Sequence, residues 1–166
     1  MMRSMFEPRL PRQTLPEVVR FLRLVESSPD ERGKLVSASG EPLRVMVVED
    51  DGMVSAVFRD IVEGFGGEVV ATVTSGLASV GAADGTRPDI IIMDIGLPGM
   101  DGIDAAGIIR SRYSIPIVFV SGLDVGDELA RRLGESGGIE LLLKPIDPES
   151  LLQALLKAYS GPSRRT

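Results

Sequence analysis

From Leu43 onward, short apolar runs alternate with helically spaced segments five times, and no other feature of the 166 residues limits the fold so strongly. Strands are expected at 44–48, 68–73, 89–94, 116–120 and 139–143, with helices at about 52–64, 75–83, 101–112, 124–136 and 148–159. Such alternation predicts an α/β domain with a doubly wound, five-stranded parallel sheet. Ile90–Met93 and Ile117–Val120 are continuously apolar, as central strands buried on both faces must be. Glu68-Val-Val-Ala-Thr-Val73 is the most polar run and belongs at an edge. Right-handed crossovers and short connections leave few topologies. Of these, the strand order 2-1-3-4-5 sets strands 1 and 3 side by side at the centre.

The residues just beyond the ends of these runs turn the fold into a functional reading. Glu49 and Asp50 come just after Val45–Val48, Asp94 after Ile90–Met93, Ser121 after Ile117–Val120, and Lys144 after Leu141–Leu143. In a parallel sheet these residues share the carboxyl edge, where open α/β sheets place their ligand sites. Strand order 2-1-3-4-5 brings Glu49, Asp50 and Asp94 into one crevice. Three adjacent carboxylates repel one another unless a cation binds them. The chain has no cysteine and no histidine, which removes thiol nucleophiles, disulfides, the usual zinc sites and imidazole bases. Oxygen ligands alone select a hard ion, and carboxylates completed by water and substrate phosphate suit Mg²⁺. Lys144 adds a compact positive charge and Ser121 a hydroxyl donor. Carboxylate nucleophile, metal, ammonium and hydroxyl together describe phosphoryl transfer to an aspartate.

The segments Val47-Val48-Glu49-Asp50-Asp51, Asp89 to Gly102, Ile115 to Gly122 and Leu143-Lys144-Pro145 resemble the receiver domain of two-component response regulators. The resemblance covers about residues 43–160. It implies a flavodoxin-like fold and a phosphoacceptor at Asp94. It also implies Mg²⁺ held by Asp50 and Asp94, with Glu49 assisting through water and Gly96 giving a backbone carbonyl. Ser121 and Lys144 would contact the phosphoryl oxygens, and the bond before Pro145 is often cis in the family. The donor would be a phosphohistidine on a sensor histidine kinase or phosphotransfer protein, since this chain has no histidine. A downstream protein target would read the result.

Each motif also has a plainer reading. Asp50 or Asp51 could cap the following helix, Asp94 could be a turn residue ahead of Gly96-Leu97-Pro98-Gly99, and Lys144 and Ser121 could be solvated strand ends. Their joint occurrence at consecutive strand ends, in order, argues against those readings together. The stretch from Asp94 to Ala105 is no EF-hand, because Gly96 and Pro98 offer no side-chain oxygen and the twelfth position is alanine. Gly64, Gly66 and Gly67 do not complete a dinucleotide fingerprint, and no Gly-Lys-Ser phosphate loop is present. An aspartyl-phosphate phosphatase would carry a second acid two residues after its nucleophile, where this chain has Gly96. No enzyme activity is therefore expected beyond self-catalysed phosphorylation and dephosphorylation of Asp94.

Residues 1–42 read as an N-terminal extension, 43–160 as the receiver domain and 161–166 as a basic tail. Within the extension, Leu15, Val18, Val19, Leu22 and Val25 recur at helical spacing after a Pro16 suited to a first turn, which predicts a short amphipathic helix over 15–26. Ser27 to Gly40 reads as a linker. The helix either packs on the receiver or serves a partner, a dimer or the switch face. With no output domain in view, the chain reads as a stand-alone receiver. Residues 44–160 hold 9 basic and 18 acidic groups, a balance that phosphates of nucleic acid would repel. No apolar stretch nears the length of a membrane helix and no secretory signal is visible, so a soluble, cytoplasmic protein is expected. Receivers commonly carry an aromatic three positions before the lysine, where this chain has Leu141. Switching is therefore expected to work through the glycine-rich segment between Ser121 and Leu141. The alternative is a phosphorylation-independent interaction module with the same fold.

Overall fold

The computed structural model of the protein describes residues 33–122, 126–135 and 140–160. The strands are β1 (Arg44–Val48), β2 (Glu68–Val73), β3 (Ile90–Asp94), β4 (Ile117–Ser121) and β5 (Glu140–Leu143). The helices between and after them are α1 (Gly52–Gly64), α2 (Gly76–Thr86), α3 (Gly102–Arg112), α4 (Asp127–Glu135) and α5 (Pro148–Ser160). All neighbouring strands are parallel, in the order β2-β1-β3-β4-β5. This is the doubly wound, flavodoxin-like sheet expected from the alternation. The helix expected at 15–26 and the basic tail lie outside the described residues.

Capping residues set where three helices begin. The Asp51 carboxylate accepts from the amides of Met53 and Val54, Ser75 from Ala78, and Asp101 from Ile103 and Asp104. Each satisfies amides that a first helical turn leaves without a partner. At the far end of α2, Arg87 takes the left-handed conformation and closes the helix through its own amide to Ala83.

Apolar side chains alternate between two cores, one on each sheet face. The first joins Val45, Val47, Ile90, Ile92, Val118 and Val120 to Phe58, Ile61 and Val62 of α1 and to Leu151, Leu152 and Leu155 of α5. The second joins Met46, Val48, Ile91, Met93, Ile117 and Phe119 to Ala83 of α2, Ala105, Ala106 and Ile109 of α3 and Leu133 of α4. Leu141, at the position the family commonly fills with an aromatic, lies half-buried against the second core and pairs with Phe119 in register.

The residues just before β1 pack on the domain as a hairpin across 35–43. Val36 bridges Pro42 in antiparallel fashion, the Leu35 amide donates to the Phe65 carbonyl at 2.8 Å, and Leu43 returns the chain by donating to the Leu35 carbonyl at 2.8 Å. Leu35 is wholly buried in the first core. Beside it only Val36 is apolar, a pair too short to show a period, and the side chains of α1 and α5 in that core give Leu35 its place. Glycine suits position 33, where a Cβ would stand 3.0 Å from the Leu156 side chain of α5.

Candidate functional site

The pairing register carries the strand-end residues to one place. Val48 lies opposite Met93, so Glu49 and Asp94 follow side by side; Asp94 lies opposite Val120, and Ser121 opposite Leu143. Glu49, Asp50 and Asp94 each present a carboxylate oxygen within 4.8 Å of the others. Lys144 Nζ donates to Glu49 Oε2 at 2.7 Å and stands 3.4 Å from Asp94 Oδ2. The Gly96 amide donates to Asp94 Oδ1 at 3.2 Å. Ser121 is buried at the end of β4, and its carbonyl accepts from the Lys144 amide at 2.8 Å. All six sequence-derived candidates thus meet at the carboxyl edge, and the Lys144–Pro145 bond is cis.

Burial separates the three acids. Glu49 and Asp94 are 1% and 5% exposed, whereas Asp50 faces solvent. Burial pushes the Glu49 carboxyl above the ordinary range, and the Asp94 charge adds to that rise; hydrogen bonds from Lys144 and from the Asp51 amide oppose it. Burial lowers Lys144, but the carboxylates of Glu49 and Asp94 outweigh it and hold the ammonium above its usual value. In this arrangement Lys144 is the cation that makes the buried acids tolerable. A divalent ion fits the same donors: three clustered carboxylate oxygens, no nitrogen or sulfur, and one acid open to water.

The capping question is also resolved. Asp51 caps α1, while Asp50 contributes its carboxylate to the cluster. Single-position reading missed three further features. The Asp51 amide anchors Glu49 Oε1 at 3.1 Å. Gly102 lets α3 approach so closely that a Cβ there would sit 2.0 Å from the Asp94 carbonyl oxygen, and the Gly102 amide also donates to Ile95. Gly76 approaches the Met100 carbonyl in the same manner, with a Cβ at 2.3 Å. These glycines lock the backbone around Asp94 against α2 and α3. The Met100-Asp101-Gly102 segment was the available signal for one of them.

Residues 45–156 match the family model of the response regulator receiver domain, and the chain belongs to that family, the receivers of two-component signalling. The transcriptional regulatory protein PdtaR of Mycobacterium tuberculosis is 33% identical over 119 residues, which are 72% of this chain and 58% of PdtaR. The protein-glutamate methylesterase/protein-glutamine glutaminase of Pyrococcus abyssi is 30% identical over 121 residues, 72% of this chain and 33% of that enzyme. The chain therefore spans little more than half of the one and a third of the other. Among solved structures, the response regulator domain of Thermotoga maritima CheB is similar at a TM-score of 0.66 and 27% identity, over 72% of this chain and 97% of that one. Among the described residues, no helix is long and apolar enough to cross a membrane.

Proposed function

We propose that Asp94 accepts a phosphoryl group from a phosphohistidine on a partner kinase or phosphotransfer protein, and that the modified domain then acts by binding a protein target. The observation that carries this reading is the buried Asp94 carboxylate, 3.4 Å from Lys144 and clustered with two further acids. In the reaction an Asp94 oxygen attacks phosphorus, a P–O bond forms, and the P–N bond breaks with its electron pair passing to the imidazole. Asp50, Asp94 and the Gly96 carbonyl would hold Mg²⁺, with Glu49 reaching it through water. When bound, the ion supplies positive charge against the oxygens of the phosphoryl in transit. Lys144 turns from Glu49 toward those oxygens, and Ser121 donates its hydroxyl. The Gly96 amide holds the carboxylate in orientation throughout.

Met53 and Leu77, 83% and 71% exposed in the first turns of α1 and α2, supply apolar surface at the same edge on which the donor can dock. The working domain runs over 43–160 with the 33–42 hairpin attached, preceded by an extension and followed by a basic tail, and it acts in the cytoplasm. A second reading, an interaction module that works without phosphorylation, draws on Leu141, which leaves β5 without an aromatic rotor.

Intact mass after incubation with Mg²⁺ and a small phosphodonor tests the first reading. One added phosphoryl group is expected, lost in Asp94→Ala and in the presence of a chelator. An unmodified mass under all conditions would remove this reading and leave the second.

A further inference from the structure

The first turn of α2 is built from small residues that the chemistry of the site does not use. Ser75 caps it, and Gly76 and Ser79 are buried, Ser79 completely. Ser75 Oγ accepts the Ala78 amide at 3.2 Å, the Ser75 carbonyl accepts the Ser79 amide at 3.1 Å, and the Ser79 hydroxyl donates to the Gly76 carbonyl at 2.6 Å. Three bonds fix one turn.

This turn faces the loop that follows Asp94. A Cβ at Gly76 would stand 2.3 Å from the Met100 carbonyl oxygen, 3.1 Å from its carbon and 3.2 Å from Met100 Cγ. Backbone cannot turn aside, so only a residue without a Cβ lets the two segments meet. Residues 95–101 leave β3 and return to it: the Gly102 amide donates to the Ile95 carbonyl at 3.1 Å, and Gly102 lies against the Asp94 carbonyl. Gly99 makes the turn between them at a φ of +72°, which glycine adopts without steric cost. The loop is therefore fastened to β3 at its base, and Met100 on its returning limb rests on α2. Within the loop, the exposed Gly96 donates its amide to Asp94 Oδ1 at 3.2 Å. Where Met100 rests thus bears on how the acceptor carboxylate is held.

We propose that the first turn of α2 is a platform for the acceptor loop, and that Gly76 is a positioning residue for phosphoryl transfer at Asp94. Gly76 acts through Met100: it sets where residues 95–101 lie, and with them the Gly96 amide on Asp94 and the Gly96 carbonyl read as a cation ligand. Ser79 ties the Gly76 carbonyl and stiffens the turn. The inference rests on the readings of Asp94 as phosphoacceptor and of the acid cluster as a cation site. It adds to them a helix that supplies no side chain to either. A methyl inserted at Gly76 must lift the loop or push α2 outward, and disturbing the groups that orient a ligand or nucleophile costs roughly 10–100-fold in affinity or rate.

The test compares Gly76→Ala and Ser79→Ala with two controls in the full chain. Gly81→Ala places its methyl on the same helix with nothing within 4 Å, and Leu152→Ala empties a position in the core on the opposite face of the sheet. Mg²⁺ affinity is read by calorimetry without phosphodonor, the initial rate of phosphoryl incorporation by intact mass at saturating Mg²⁺, and stability by urea unfolding. Gly76→Ala should bind Mg²⁺ about ten-fold more weakly and take up the phosphoryl group about ten-fold more slowly. Ser79→Ala loosens the turn without filling the space, and a loss of about three-fold in each is expected. Both controls should keep wild-type affinity and rate, although Leu152→Ala unfolds at lower urea. A Gly76→Ala protein with a lowered urea midpoint but wild-type affinity and rate would overturn the proposal, since the glycine would then serve packing alone. Losses in Leu152→Ala as large as those in Gly76→Ala would overturn it too, because affinity and rate would merely follow stability. If Gly76→Ala does not fold, Ser79→Ala decides, and wild-type values there would sink the platform. A wild-type chain that takes up neither Mg²⁺ nor the phosphoryl group would defeat the underlying readings of the site and the proposal with them, a result distinct from a difference among variants.

Discussion

The two faces of the sheet are built from different materials. On one, α1 and α5 bury Phe58, Ile61, Leu151, Leu152 and Leu155, and the N-terminal hairpin adds Leu35. On the other, α2 buries Gly76, Ser79 and Ala83, α3 buries Gly102, Ala105 and Ala106 beside two isoleucines, and α4 buries Leu133 alone. The first face gains its stability from large apolar area. The second brings backbones close together around Asp94 and leaves one helix lightly held. A receiver needs both, because a site that must respond cannot sit between two equally deep cores.

Truncating one leucine on each face tests that contrast most severely. Leu152→Ala empties a fully buried position, and a loss of about 3 kcal/mol is expected, within the range of roughly 2–5 for buried leucines. Leu133→Ala should cost about 1–2 kcal/mol, because its site lies at the rim of the core and can collapse or admit water. Urea unfolding of both variants checks this. Equal losses would mean that α4 is as firmly embedded as α5, and the contrast between the faces would fail.

A smaller effect separates the glycines of the second face from one another. In Gly102→Ala the new methyl meets the Asp94 carbonyl oxygen and carbon, which are backbone and cannot turn aside. About 2 kcal/mol of destabilisation is expected from such overpacking, together with slower phosphorylation as the acceptor loop shifts. Gly107→Ala, in the same helix and with open space around it, should instead stabilise by about 0.5 kcal/mol by restricting the unfolded chain. Thermal unfolding and the initial rate of phosphoryl incorporation read both. A well-tolerated Gly102→Ala would show that close backbone approach is not what holds Asp94.

Much of the architecture was legible in the sequence, and the boundary of legibility has a physical cause. Continuous apolar runs mark strands buried on both sides, so Ile90–Met93 and Ile117–Val120 announced themselves, as did the polar edge strand from Glu68. The position of the acids was readable because parallel strands end together; once the order 2-1-3-4-5 is accepted, Glu49 and Asp94 must be neighbours. Leu35 was invisible, because the pair Leu35-Val36 is too short to show a period and its burial depends on α1 and α5, which are distant in sequence. Arg132 and Asp101 are likewise 31 residues apart. Neither side chain signals its partner, and the pair exists only through the way α4 lies beside α3. Gly76 was unreadable for the same reason, since the carbonyl it must clear belongs to Met100.

The smallest expected effect concerns two of the capping aspartates, Asp147 before α5 and Asp101 before α3. Asp147 accepts the Ser150 amide at 2.9 Å and the Ser150 hydroxyl at 2.6 Å, and these bonds hold its carboxyl below the usual range. Asp101 is depressed as well, but part of its partnership is with a guanidinium. A carboxyl lowered on folding contributes stability above its unfolded value of about 3.9, and that contribution disappears as pH falls through the folded value. Asp147→Ala should therefore cost about 1 kcal/mol at neutral pH and nothing measurable once the pH is well below that window. Asp101→Asn should follow the same pH trend. Salt distinguishes them: neutral partners are indifferent to ionic strength, whereas the Arg132 pair weakens as added salt shortens the screening length. Urea midpoints from about pH 7 to about pH 3, at low and high NaCl, should show the cost of Asp101→Asn shrinking with salt and that of Asp147→Ala unchanged. If both costs ignored salt, the Arg132 pair would add nothing to the second face, and hydrogen bonds to the α3 amides alone would account for the depressed Asp101.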